Sequence, residues 1–297
     1  MSESLIEHFR PTGRAPVLLL CDHAGKLVPE GLAYLGISEA DLSRHIGWDI
    51  GAATVTRELA RHLDAPALLD HASRLLIDPN RRPFSPGSIP EEVDGTVIVG
   101  NRNLPPREIR RRIRRYWLPY HRAIARAIAA FRRRGIVPAI VSVHSFTPRL
   151  NGRFRPWQIG VLWRSDRRLA GPVLAALRAR GDLVVGDNEP YSGENAFGHT
   201  IEFHAQRTRL PHIMFELRQS EIAEPDGARR FATILAEVLA EPLADPALYR
   251  LFDGDTLAPL RRRRFLPRIG WRHVAYLSHW SEQRLGIPSV DRGATEG

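Results

Sequence analysis

Short apolar runs separated by long stretches of helical periodicity constrain this chain more than any other feature. "APVLLLCD" (15–22), "APALLD" (65–70), "AIVSVH" (139–144), "WQIGVLW" (157–163), "LVVG" (183–186) and "HIMFELR" (212–218) have strand length and few polar residues. Helical patterns lie around them: "DIGAATVTRELARHLD" (49–64), an arginine-rich segment from 107 onward, "RRLAGPVLAALRARG" (167–181) and "DGARRFATILAEVLA" (226–240). Strands with so few polar positions need cover on both faces, and helices of this length between them supply it. The alternation therefore predicts an α/β sheet covered on both sides.

Local signals refine the picture. In "SEADLSRH" (38–45), Ser38 followed three residues later by Asp41 is a helix N-cap signature. The long arginine-rich helix should kink at Pro119. "GHTIEFHAQRTRLP" reads as a helix with Thr200 as its N-cap, because a crossover must precede the 212–218 run. The proline- and glycine-rich connection over 79–106 is long for a compact domain, which marks it as functional or mobile. The α/β pattern spans 14–245. The aromatic, basic, proline-broken stretch 246–297 reads as an extension packed on that core.

The formal charge of +10 suggests an anionic partner. Three observations argue against nucleic acid. Lys26 is the only lysine, a skew that resembles codon bias. The basic runs at 107–115, 132–134 and 261–264 have no interleaved aromatics for base stacking. Ile109, Ile113, Trp117, Ile124, Ile128 and Phe131 recur at helical steps and leave the first run's arginines on the outer face. No apolar stretch has the length of a membrane span, so no membrane partner is expected. With one cysteine, Cys21, no intrachain disulfide forms, and the expected compartment is the cytoplasm. The oligomeric state is left open.

In α/β sheets, sites form beyond the carboxyl ends of the strands. The first run ends in Asp22 and His23, the 139–144 run in His144, and the 212–218 run carries Glu216 and Arg218. "HIGWDIGA" places Asp49 at a helix start. Two histidines and a carboxylate from separate elements match a catalytic zinc site, with Glu216 free to take a proton. "SRLLIDPNRRP" adds Arg74 and Arg81, whose planar forks suit a substrate carboxylate.

The motifs "CDHAG", "GWDIGA", "LIDPNRRP", "VSVHSFTPRLNGRFRPWQIGVLW", "YSGENAFGHT" and "FELRQSEI" resemble, in order and spacing, those of N-formylglutamate amidohydrolase-like proteins over about residues 15–240. The resemblance implies the fold of zinc-dependent exopeptidases and aspartoacylases: a three-layer α/β sandwich around a central mixed, mostly parallel sheet. It also implies hydrolysis of a small N-acyl amino acid such as N-formylglutamate, with one zinc ion per chain. Carried onto this sequence, His23, His144 and Asp49 would hold the metal and Glu216 would be the base. Arg81 and Arg74 would meet the substrate carboxylate. His199 and His204 would make substrate or transition-state contacts. Beside that carry-over, Ser145 and Asn151 are expected to contact substrate, and His204 or Arg218 to hold the developing oxyanion.

Each assignment has a competitor. Asp22 rivals Asp49 as a ligand, and Asp49 could simply cap the helix at 49–64. Glu216 could pair with Arg218, two residues on along the same strand face. Arg74 and Arg81 could pair with Asp78 and Asp70. His45 and Asp49 are helically spaced, but Gly47 interrupts a ligand pair there. Cys21 reads as a small buried residue, and without a G-x-S-x-G motif Ser145 is no serine nucleophile. The competing function is a non-catalytic binding protein whose arginine-rich surface holds an anionic partner.

Overall fold

The computed structural model describes residues 5–193 and 198–254. Seven strands form one sheet: β1 (Ile6–Phe9), β2 (Val17–Cys21), β3 (Ala67–Asp70), β4 (Ala139–Phe146), β5 (Ile159–Leu162), β6 (Val185–Asp187) and β7 (His212–Arg218). Their spatial order is β1-β3-β2-β4-β7-β5-β6. The pairs β2–β3, β2–β4, β4–β7 and β5–β6 are parallel, while β1–β3 and β5–β7 are antiparallel. The sheet is thus mixed and mostly parallel, as expected.

The helices are α1 (Glu39–Leu42), α2 (Ala52–Leu63), α3 (Pro106–Arg112), α4 (Leu118–Arg133), α5 (Ala170–Arg180), α6 (His199–Ile201), α7 (Gln219–Ile222) and α8 (Pro225–Ala244). Alternation along the strands divides the core in two. Val17, Leu19, Val141, Val143, Ile213 and Phe215 pack on one face with α2, α5 and α8 through residues such as Leu59, Leu174 and Phe231. Leu18, Leu20, Ile140 and Met214 pack on the other face with Ile124 and Ile128 of α4, and with Ile201 and Ala205. By the period-two rule, Asp22, His144 and Glu216 continue this second face. Register aligns them: Glu216 stands opposite His144 and Leu20 opposite Ser142, so three chemical side chains reach one level at the carboxyl ends of adjacent strands.

Several local expectations hold. Ser38 caps α1, its Oγ accepting the Asp41 N–H at 3.0 Å. Near Pro119 the helix widens into a π turn over Ile113–Trp117, where the Leu118 N–H reaches back to the Ile113 carbonyl. Proline has no N–H to continue the regular ladder, and the wider turn accommodates the gap. Other expectations need correction. α2 begins at Ala52, not 49, with Gly51 as its N-cap at φ 82°. A Cβ at Gly51 would fall 2.1 Å from the Ile222 carbonyl oxygen, so the turn needs glycine for space as well as backbone sign. Asp49 is thereby released from capping. Thr200 is not an N-cap either: Gly198 precedes α6, and the chain continues as a π turn over Glu202–Gln206.

Residues 246–254 lie against the core, where Arg168 donates to the Leu248 and Arg250 carbonyls. The rest of the expected extension, 255–297, lies outside the described residues. No helix among the described residues is long and apolar enough to cross a membrane.

Asp70, at the end of β3, is a consequence of bringing so many carboxylates to one sheet edge. It is buried, and desolvation pushes its carboxyl up to about 8 despite a hydrogen bond from the Ala72 N–H. Between the ordinary value of 3.8 and about 8, the folded chain holds a proton that the unfolded chain has lost, so stability falls as pH rises through that window. Asp70→Asn keeps the acceptor and cannot ionise. Its stability relative to wild type should therefore grow steadily with pH from about pH 5 to about pH 8, the interval in which the folded carboxyl keeps its proton and the unfolded one does not. Denaturant titrations at the two pH values measure this, and a difference independent of pH would mean that Asp70 ionises normally.

Candidate active site

Asp49 is the centre of the site. The Asp49 N–H donates to the His23 carbonyl at 3.0 Å, which ties the loop before α2 to the end of β2. Its Oδ2 lies 2.8 Å from His144 Nδ1 and 3.3 Å from His23 Nδ1, and the Ser145 N–H donates to the same oxygen at 3.3 Å. Its Oδ1 accepts from Arg74 at 3.2 Å. His23, Asp49 and His144 are all buried, and one ligand atom from each lies within 4.8 Å of the others.

Each histidine is backed by a second carboxylate. His23 Nε2 lies 2.8 Å from Asp78 Oδ1, and His144 Nε2 lies 3.4 Å from Asp22 Oδ2. Tyr120 donates its hydroxyl to the other Asp22 oxygen at 2.8 Å, and Arg74 reaches Asp78 Oδ2 at 3.0 Å. Ring nitrogens facing a common carboxylate, with their far nitrogens held by carboxylates, match the outer support of metal-binding histidines. The residues present therefore fit a borderline-soft divalent cation with two nitrogen donors and one oxygen donor. Asp22 supports His144 from outside, so the geometry favours Asp49 as the carboxylate ligand.

The charges follow from these contacts. Burial opposes ionisation of Asp49, but His23 and His144 outweigh it and hold the carboxyl well below the ordinary range. Burial likewise opposes charge on His144, yet the facing carboxylates of Asp22 and Asp49 raise it well above the usual imidazole value. Glu216 is different. It is buried, its Oε2 has no hydrogen-bond partner among the described residues, and desolvation pushes it up to about 7. The ion pair with Arg218 does not form: Arg218 donates instead to Ser220 Oγ at 3.0 Å, to the Pro156 carbonyl at 2.9 Å and to Glu221 at 2.5 Å. Those bonds hold Arg218 toward Ser220, Pro156 and Glu221.

A model of the N-formylglutamate amidohydrolase family matches residues 15–223 of this sequence. The chain belongs to that family. The N-formylglutamate deformylase of Pseudomonas aeruginosa is 27% identical over 245 residues, which covers 76% of this chain and 88% of that protein. The crystal structure of the Agrobacterium tumefaciens gene product Atu2144 superposes with a TM-score of 0.78 at 34% identity, over 80% of this chain and 94% of that one. The fold is also that of N-formylglutamate amidohydrolase from Ralstonia eutropha JMP134, with a TM-score of 0.64 at 21% identity, over 80% of this chain and 97% of that one.

The family motif "LIDPNRRP" forms a loop pinned from all sides. The Pro79 carbonyl meets His121 Nε2 at 2.9 Å, and the Arg81 carbonyl accepts from Trp117 Nε1 at 3.0 Å. The Asn80 carbonyl and Oδ1 accept the N–H groups of His199 and Thr200, both at 3.0 Å. Arg81 itself is exposed, and among the described residues its guanidinium makes no hydrogen bond or ion pair. Arg74 pairs with Asp78, as one reading had it, and with Asp49 as well, one terminal nitrogen to each carboxylate.

The remaining expected residues divide. Ser145 holds Asp49 through its N–H, while its Oγ donates to the Ile50 carbonyl at 2.9 Å and accepts from Gln219 at 3.2 Å. Asn151 is exposed and not brought into the cluster: with Gly152 it makes the two-residue turn between Arg149–Leu150 and Arg153–Phe154, both at positive φ (50° and 75°). That is the type I′ geometry an Asn-Gly pair favours, which accounts for its place in the motif. His45 turns to Asp94 at 3.5 Å, and Cys21 is a buried core residue. The middle of "YSGENAFGHT", residues 194–197, lies outside the described residues.

His199 and His204 come to the sheet face that carries His144 and Glu216, since Ile201 and Ala205 beside them pack on Leu20, Ile140 and Met214. Sequence reasoning missed Asp78, Tyr120 and His121. The signal for the last two was present: they stand three and four residues after Trp117, on the apolar stripe that continues to Ile124, where a polar side chain must find a partner.

Proposed function

We propose that this chain is a metal-dependent hydrolase that cleaves the amide bond of a small N-acyl amino acid, with N-formylglutamate the leading substrate. The family supports the amidohydrolase chemistry. One observation carries the rest: a buried His23–Asp49–His144 donor set, each histidine backed by a carboxylate, lies in register with a buried glutamate whose Oε2 has no hydrogen-bond partner among the described residues. Zinc held by those donors supplies Lewis acidity toward a carbonyl and toward water.

The chain's own residues do the remainder. Glu216, held near neutrality by burial, takes a proton from the water that adds to the acyl carbonyl and returns it to the amide nitrogen as the C–N bond breaks. The products are the carboxylic acid, formate for an N-formyl substrate, and the free amino acid. Arg81 meets the α-carboxylate with two parallel charge-assisted hydrogen bonds. Its backbone is fixed by Trp117 and by the turn at Asp78, so little main-chain entropy is lost when its side chain engages the ligand.

Three outcomes follow. His23→Ala and His144→Ala each remove one of three protein ligands, so zinc content should collapse while the fold persists; full occupancy in both would refute the donor set. Glu216→Gln should keep the metal and lose turnover by roughly 10²–10⁴-fold. Unimpaired turnover would strip Glu216 of the base role, and metal loss would make it a ligand. Arg81→Lys should weaken catalysis on the free acid far more than on the matching α-amide, because both share the scissile bond but only the acid offers a carboxylate to the guanidinium fork. Equal loss on both would assign Arg81 a structural role.

A further inference from the structure

Beside the donor set lies a cluster of imidazoles that the mechanism above does not use. His121 of α4 and His204 of the π turn lie edge to edge and nearly coplanar, with centroids 5.1 Å apart and planes 13° off parallel. His199 meets the edge of His121 at 5.3 Å, and Trp117 stacks on its other side at 3.8 Å. His121 and His204 are buried, joined by a 2.8 Å contact between His121 Nδ1 and His204 Nε2.

Proton positions follow from the one partner that cannot donate. A carbonyl oxygen only accepts, so His121 Nε2, 2.9 Å from the Pro79 carbonyl, carries hydrogen. Burial and its two neighbouring imidazoles hold His121 well below the usual imidazole range, so the ring is neutral and Nδ1 is a bare acceptor. His204 must then donate from Nε2. Burial and His199 bring His204 down to about 3, so it too is neutral and its Nδ1 keeps a lone pair. Among the described residues that nitrogen has no hydrogen bond. The chain of bonds runs one way, from His204 through His121 to Pro79.

We propose that His121 is a positioning residue: anchored on the Pro79 carbonyl, it locks His204 into the Nε2–H tautomer, so that His204 offers substrate a hydrogen-bond acceptor. The N–H of the scissile secondary amide is the group such an acceptor recognises. The assignment rests on the amidohydrolase reading above, and it revises the oxyanion role expected of His204. A neutral imidazole whose single N–H is spent on His121 has no donor left for a developing negative oxygen. The Pro79 carbonyl that sets the lock belongs to the same loop that presents Arg81, so carboxylate recognition and amide recognition share one anchor.

The experiment uses the full chain with zinc bound and no substrate, selectively ¹⁵N-labelled at histidine, with His204 identified by its loss in His204→Gln. Long-range ¹H–¹⁵N spectra distinguish the two neutral tautomers and the imidazolium. Wild type should show one neutral His204 ring protonated at Nε2. His121→Phe keeps a ring against Trp117 but removes the acceptor, so His204 should become a tautomer mixture. Its kcat on N-formylglutamate should drop about 10-fold or more while zinc content holds. His121→Asn places an oxygen where Nδ1 stood and should return His204 to the Nε2–H form. Wild type should also prefer the secondary amide over N-formyl-N-methylglutamate, and His121→Phe should lose much of that preference. A wild-type His204 protonated at Nδ1 or doubly protonated, or a folded His121→Phe that keeps the single Nε2–H form, overturns the lock. A shifted tautomer with unchanged kcat and unchanged preference overturns the acceptor role. Because the spectra need no substrate, the lock can fail or stand independently of whether N-formylglutamate is turned over.

Discussion

One carboxylate organises this site. Asp49 receives His23, His144 and the Ser145 N–H on one oxygen and Arg74 on the other, so it ties β2, β4, the loop before α2 and the segment after β3 into a single cluster. None of these residues neighbours the others in sequence except His144 and Ser145. What brings them together is the parallel sheet, whose register sets Glu216 opposite His144 and the ends of β2 and β4 level. The cost is considerable, because buried ionised groups lose their hydration and must be compensated by partners. Removing one partner leaves the others uncompensated, so the cluster stands or falls as a unit.

A second layer keeps the first in place, and it is built by α4 and the π turn before it. Tyr120 holds Asp22 behind His144, while His121 and Trp117 hold the Pro79 and Arg81 carbonyls. The loop so fixed carries Asp78, which backs His23, and Asn80, which docks the start of α6. One helix face therefore supports both histidine donors, the exposed Arg81 and the 199–206 segment. The π turn just before Pro119 lies next to these residues, where a change of helical phase decides which side chains face the sheet.

How much of this could be read from the sequence depends on range. Apolar runs gave every strand of the sheet except the edge strand β1, because a strand buried on both faces announces itself by composition, whereas the partly exposed IEHF of β1 does not. Strand ends gave His23, His144 and Glu216, because a parallel sheet places its chemistry at one edge. What escaped is set by contacts between distant residues. Nothing near Asp49 reveals that Gly51 caps α2 in its stead; that follows from the approach of the Ile222 carbonyl, 171 positions further along the chain (222 − 51). The contacts of Arg218 are with Pro156 and Glu221, and Asn151 sits in a tight turn, neither of which its motif announces. Tyr120 and His121 hid on an apolar stripe, where a helical pattern is read as core.

The separation of carboxyl behaviour within this one cavity is the last consequence of the packing. For Asp49, Asp22 and Asp78, burial opposes ionisation but is outweighed, by His23 and His144 for the first, His144 for the second, and Arg74 and His23 for the third. Glu216 suffers the same desolvation without a direct partner, and it stays near 7. Its strand neighbour on the β5 side is Gly160, where a Cβ would fall 1.9 Å from the Glu189 carbonyl oxygen and 3.4 Å from Glu216 Cβ. A larger residue there would displace the 188–190 loop, so glycine keeps that backbone close above the strand beside Glu216. The three ionised carboxylates are consumed in holding cations and imidazoles in place. Of these four, Glu216 alone lacks a hydrogen-bond partner among the described residues, and on the function proposed above that difference in partners, not in chemical type, separates support from chemistry in this site.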